Sequence, residues 1–204
     1  GLVNEAPKSR AIQFGSDGQI VTASPVFTAT QNWTMECWIR TPGALNVDAE
    51  QLFYNGNGGS DGIAIGVGNG SGSAGSKLQI ALYGGAGYID TGQTLSVSTW
   101  YHVAVTRDTT TLQVYLNGVQ VATSTGAMVT PTGQTYFPIA AAANDGFRLA
   151  YVAVHASALS AARILQHYQA GTVLGASAYL WPFVDNDFGS GKASVSAAVF
   201  NGEL

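Results

Sequence analysis

The stretch Leu112-Gln113-Val114-Tyr115-Leu116-Asn117-Gly118-Val119-Gln120-Val121-Ala122 alternates apolar and polar side chains on both sides of an Asn-Gly pair. Alternation with a period of two puts successive side chains on opposite faces of a strand. Asn-Gly accepts the positive φ angles of a type I′ turn, whose twist matches the flanking strands, so these eleven residues predict a tight antiparallel hairpin. The same period extends outward in both directions. Residues 11–14, 19–22, 33–40, 51–54, 62–67, 77–83, 100–107, 111–116, 119–123 and 147–155 all read as strands, separated by Gly, Asn and Asp clusters. The one helical segment is 160–169, with Ser160 as cap, Ile164, Leu165 and Tyr168 on one face, and Gly171 as its stop. The resulting expectation is an all-β sandwich with one short helix, formed by residues 1–204 as a single domain.

Composition narrows the function classes. Hydrophobic residues make up 46% of the 204, enough for a sizeable core, while charged residues are only 10%, well under the roughly 25% usual in soluble proteins. The surface is therefore built from Gly, Ser, Thr, Asn and Gln, which suits an extracellular, cell-surface or virion-surface protein. Eight Lys plus Arg against twelve Asp plus Glu, with no basic cluster, argue against a nucleic-acid partner. The apolar runs fall short of the roughly 18 residues of a membrane span, so membrane insertion is not expected. The single cysteine, Cys37, sits in Met35-Glu36-Cys37-Trp38-Ile39 and reads as a small buried hydrophobe.

Three segments, in order, resemble the laminin G-like, concanavalin A-like jelly-roll superfamily as it occurs in bacterial and phage surface proteins. Residues 11–21, AIQFGSDGQIV, followed by 33–39, WTMECWI, are similar to its opening strands. Residues 100–108, WYHVAVTRD, with 112–118, LQVYLNG, resemble its "W-x-H-V-A … L-x-V-Y-x-N-G" hairpin. Residues 146–155 and 158–160 are similar to the late strand and short helix, except that Leu149 and Ala150 stand where the family commonly carries an acidic pair. The resemblance implies that the all-β sandwich is a two-sheet antiparallel jelly roll. It leaves function open, because lectins, adhesion modules, glycosidase accessory domains and virion parts share that fold.

Enzyme chemistry finds little support. A glycosidase needs two carboxylates facing one another across a groove, and the E-x-D-x-x-E strand pattern of the glucanase branch does not occur. Glu36 has no acidic partner at i+2 or i+5 and is expected to face solvent or to pair with Arg40. His102, His155 and His167 are scattered among hydrophobic residues, without metal-ligand or triad spacing, and are expected to be structural.

Binding chemistry fits better. The segments 55–61 and 68–76 are rich in Gly, Ser and Asn and read as exposed loops, where ligands bind on a rigid sandwich. Tyr54, Asn57, Tyr83 and Tyr88 beside such loops supply aromatic faces and amide groups for a sugar. Asp61, Asn144 and Asp145 are the loop oxygens suited to calcium, although Asn144-Asp145-Gly146 reads more simply as a turn. The leading expectation is a non-catalytic, lectin-like module that recognises a glycan or surface polysaccharide through residues 54–61 and 83–90. The alternative is a structural virion component, a capsid decoration or tail-fibre protein, that docks to a protein scaffold without binding sugar.

The chain's end carries a separate signal. Residues 178–191, AYLWPFVDNDFGSG, and Asn201-Gly202 resemble the beginning of a family member. Run on into Gly1, they would precede residues 10–14 in the usual order. This reads as a circular permutation, or as a strand retained from a tandem array. The first arrangement buries Leu180, Trp181 and Phe183 in the chain's own sheet, whereas the second exchanges the strand between copies and gives a homo-oligomer.

Overall fold

The computed structural model describes residues 11–13, 19–46, 49–57, 59–137 and 146–173. Phe14 to Gly18, Asn144, Asp145 and the whole segment 174–204, with Leu180, Trp181 and Phe183, lie outside the described residues. Twelve strands form two antiparallel six-stranded sheets, among the described residues. In chain order they are β1 (Ile12–Gln13), β2 (Ile20–Val21), β3 (Trp33–Arg40), β4 (Ala49–Asn57), β5 (Asp61–Gly68), β6 (Lys77–Leu82), β7 (Gly87–Thr94), β8 (Trp100–Asp108), β9 (Thr111–Leu116), β10 (Val119–Ser124), β11 (Gln134–Phe137) and β12 (Arg148–His155), followed by α1 (Ala161–Val173). The first sheet runs β1-β12-β3-β8-β9-β10 and the second β2-β11-β4-β5-β6-β7. Ten of the strands match sequence expectations. Strands β7 and β11 do not, because β7 carries a polar GYIDTGQT pattern and β11 is four residues long and lies close to two prolines.

The two sheets face one another across a core of Trp33, Met35, Cys37, Ile39, Val103, Val105, Leu112 and Val114 from the first, and Phe53, Ile63, Ile65, Val67, Leu78, Ile80 and Leu82 from the second. Cys37 is fully buried, and burial first, then the charge of Glu36, pushes its thiol pKa far above the ordinary value. It packs in the core as the sequence suggested, as a small buried hydrophobe.

The hairpin that decides the fold has the expected geometry. Asn117 and Gly118 have φ of 52° and 78°, and β9 pairs with β10 across them. Asn117 also ties the turn to β8: its amide donates to the His102 carbonyl, and its side-chain oxygen accepts from the His102 amide. A Cβ at residue 118 would lie 2.9 Å from Cδ1 of Leu165 on α1. Gly118→Val therefore meets both a forbidden backbone region and a clash, and its cost in a denaturant titration is expected to exceed clearly the ~0.5 kcal/mol scatter of surface substitutions.

The helix differs from expectation in two ways. Ser160 caps it, its hydroxyl accepting from the Arg163 amide. It does not stop at Gly171, however, but runs on to Val173. Gly171 is there because of the neighbouring ring, since a Cβ would sit 2.5 Å from Cζ2 of Trp38. Ile164 is fully buried and Tyr168 half-buried, whereas Leu165, expected on the same face, is exposed.

Candidate functional site

Each sheet has an outward face, and the two faces carry different chemistry. On the first sheet, alternation along β3 sends Trp33, Met35, Cys37 and Ile39 into the core and Thr34, Glu36 and Trp38 outward. This outward side is roofed by α1 and the residues just before it. Trp38 stacks on Tyr168 at 5.8 Å, and Leu159 and Ile164 pack on Ala104 and Tyr115. Glu36 is thus buried under the helix, which corrects the expectation that it faces solvent or pairs with Arg40.

The three histidines, distant in sequence, meet at that carboxylate. Nε2 of His155 and Nδ1 of His167 each lie 2.8 Å from Oε1 of Glu36, and Nε2 of His102 lies 3.2 Å from Oε2. An ionised carboxylate only accepts, so each of these nitrogens carries the proton and donates it. Burial alone would raise the Glu36 pKa. The bonds from His102, His155 and His167, together with the charge of His102, outweigh it and hold the carboxyl well below the usual carboxylate range. The group lies at a junction of β3, β8, β12 and α1, and its chemistry is that of a clamp between helix and sheet. Sequence spacing concealed it, because the four residues come from four elements. The one usable signal was parity, since Glu36 shares the non-core face of its strand with Trp38, and His102 is the cross-strand partner of Trp38.

The outward face of the second sheet holds a row of tyrosines. Tyr136, Tyr54, Ala64, Ala81 and Tyr88 are successive cross-strand partners over β11, β4, β5, β6 and β7. The two alanines are buried against the tyrosines, and the ring of Tyr83, just past β6, lies 5.4 Å from Tyr54 and 6.3 Å from Tyr88, edge-on to both. Tyr136 stacks on Tyr54 at 6.0 Å, so four rings run continuously across the sheet. Tyr136, Tyr83 and Tyr88 are half-buried, whereas Tyr54 is fully buried among them.

Tyr54 is the hub of the strip and does not itself offer a platform. Its hydroxyl donates to the Asp61 carbonyl and accepts from the Gly59 amide. Burial first, then the nearby Asp61 and Tyr136, push its pKa up to about 12 against the Gly59 bond. The Asp61 carboxylate is likewise engaged by protein donors, accepting from the amides of Asn57 and Thr132 and from the Thr132 hydroxyl. It clamps the β4–β5 turn. Its oxygens are thus committed to protein donors, and Asn144 and Asp145, the other two residues of the suggested calcium set, lie outside the described residues.

The two segments put forward for ligand binding do come together. The Tyr83 amide donates to the Gly62 carbonyl, and Gly84 approaches the Ser60 carbonyl so closely that a Cβ there would lie 2.3 Å from it. Asn57 is exposed at the tip of the β4–β5 turn. The loop after β5 is less loose than its composition suggests. Asn69 Oδ1 accepts from the Ser71 and Ser73 amides and from the Ser71 hydroxyl, and Gly72 lies against the Tyr88 ring. Tyr136 was missed because its strand was missed. Its hydroxyl bonds Gln134 Oε1 beside the strip.

Comparison with known proteins fits this architecture. The laminin G profile of the concanavalin A-like lectin/glucanases superfamily matches residues 14–165. The chain belongs to this superfamily. No curated protein sequence matches it. Among solved structures, the binding domain of a paraclostridial mosquitocidal protein is similar over 83% of this chain and 45% of its own, with 16% identity and a TM-score of 0.60. Domain 4 of the extracellular GH43 arabinanase AbnA of Geobacillus stearothermophilus, solved with arabinotriose, is similar over 79% of this chain and 78% of its own, at 16% identity and a TM-score of 0.60. A sialidase of Trypanosoma rangeli is similar over 78% of this chain but 27% of its own, at 18% identity and a TM-score of 0.59. The chain thus spans less than half of the mosquitocidal domain and about a quarter of the sialidase. At these identities the likeness speaks for the fold. Among the described residues, no helix is long and apolar enough to cross a membrane.

Proposed function

We propose that this superfamily member is a non-catalytic carbohydrate-binding module that acts at an extracellular or cell surface through the tyrosine strip of its second sheet. The observation that carries this reading is the row Tyr136-Tyr54-Ala64-Ala81-Tyr88 with Tyr83 across it. It is a line of rings on a rigid sheet, with three of them partly open at the surface. Aromatic faces pack on the apolar face of a pyranose or furanose ring, and the amides and hydroxyls of Gln134, Asn57 and Ser71 nearby suit sugar hydroxyls. Beside Tyr54 the Asp61 carboxylate accepts from neutral donors, and the other nearby charges pair with each other. Lys77 and Asp90 are 2.6 Å apart, and the Lys77 bond, then that of the Gly92 amide, lower the Asp90 pKa. A strip with no unpaired cation beside it and the Asp61 carboxylate at its hub favours neutral polysaccharide over sialylated or sulfated chains. That an arabinanase domain of the same fold was solved with arabinotriose is consistent with this reading.

A glycan array read with and without calcium tests the proposal. Binding to neutral oligosaccharides that does not change with calcium is expected. An array without hits in both conditions, or release of reducing sugar from any bound polysaccharide, contradicts a non-catalytic binding module.

A further inference from the structure

We propose that Glu36, His155 and His167 form a buried site for a divalent transition-metal ion of the zinc class, which pins α1 to the first sheet, with His102 orienting the carboxylate. The three ligand atoms, Oε1 of Glu36, Nε2 of His155 and Nδ1 of His167, all lie within 4.8 Å of one another and come from β3, β12 and α1. In a tetrahedral zinc site, bonds of about 2.0–2.1 Å place neighbouring ligand atoms roughly 3.4 Å apart. The two Glu–His separations of 2.8 Å need to open by only about half an ångström to reach that spacing. Two imidazoles and one carboxylate are a borderline-soft donor set that fits zinc or cobalt and does not fit calcium. On coordination the proton that His155 Nε2 and His167 Nδ1 each donate to Glu36 is given up, by transfer to the other ring nitrogen of the same imidazole.

The position of His102 strengthens the assignment. It bonds the other carboxylate oxygen, Oε2, and leaves Oε1 to the two ligating histidines. Such a contact fixes the orientation of a metal-bound carboxylate. Burial argues in the same direction. A sheet-to-helix layer of this kind closes at lower cost with apolar side chains than with one carboxylate and three imidazoles. Trp38, Ala104 and Ala150 already make the neighbouring sheet positions apolar, with Leu159 and Ile164 contributed from the helix side. Because the ligands lie under α1, the ion is expected to load during folding and to leave slowly from the folded chain.

The test is to refold the full chain with excess zinc or with chelator, then to measure metal content after gel filtration and the melting temperature. One zinc per chain and a rise in Tm of several degrees are expected. Cobalt in place of zinc is expected to give the intense visible absorption of a four-coordinate site, three protein ligands with a water in the fourth position, a signature that needs no variant and so stands even if substitutions prevent folding. His155→Ala with His167→Ala is expected to lose the ion, and His102→Ala to bind it about 10–100-fold more weakly. A refolded chain that retains no zinc, a weak six-coordinate cobalt spectrum, or stoichiometric zinc in the folded double variant would overturn the site. Unchanged affinity in His102→Ala would overturn the orienting role.

Discussion

Glu36→Gln, measured in excess chelator so that only hydrogen bonds contribute, is expected to lower unfolding stability by about 3–5 kcal/mol, the cost of breaking a buried charged network from one side. The glutamine is close in shape, but it offers one acceptor oxygen and turns its NH2 group toward donors. Three imidazole N–H groups now meet at the two carboxylate oxygens, and in the variant at least one of them loses its partner inside the protein. Acid reports on the same group. The Glu36 pKa is lowered on folding, from an ordinary value of 4.5, so its contribution is complete above that value and is lost as pH falls through the folded-state pKa. The fall in Tm between about pH 5 and pH 3 should therefore be shallower in Glu36→Gln than in the unaltered chain. A variant within ~0.5 kcal/mol of the parent would show that the network contributes no more than a surface contact.

The second large effect concerns binding. Tyr83→Ala with Tyr88→Ala removes two of the three rings that open at the strip, and affinity for whatever neutral glycan the chain binds is expected to fall at least about a hundredfold, or some 3 kcal/mol, as for central aromatic anchors elsewhere. Tyr136→Ala should weaken binding to a lesser degree, by about tenfold. Tyr54→Phe is expected to behave differently. It deletes the hydroxyl that links the Asp61 carbonyl to the Gly59 amide but keeps the ring, so it should cost about 1–2 kcal/mol of stability and little direct contact with sugar. Isothermal titration beside thermal melts separates the two kinds of loss. Equal affinity in the double variant would mean that the strip is packing and not a binding surface.

How much of this was legible in the sequence follows from the range over which each signal acts. Alternation and the Asn117-Gly118 pair are local, and they announced the hairpin, most strands and the sandwich. The turn even has the φ signs that its residues demand. Gly171 misled because glycine marks a helix end by its backbone freedom, whereas here it is required by the Trp38 ring brought from β3. Tyr83 and Tyr88 could be named from their neighbouring loops, but the row that gives them meaning depends on the register of five strands. Tyr136, on the short β11, carried no local mark. Glu36 and the histidines show the limit most clearly. Residues 36, 102, 155 and 167 have no common spacing, and only the β3–β8 and β3–β12 pairings with the docked helix bring them to one carboxylate.

The central claim, that the outward face of the second sheet binds carbohydrate, is tested most directly by titrating the isotopically labelled chain with a neutral oligosaccharide and following backbone amide shifts by NMR. The account predicts that the shifts concentrate at residues 83–88, 134–136 and 69–73, with α1 and the amides of Glu36 and His102 unmoved. Shifts centred on α1 and the first sheet, or none at millimolar sugar across the neutral glycans tested, would contradict it.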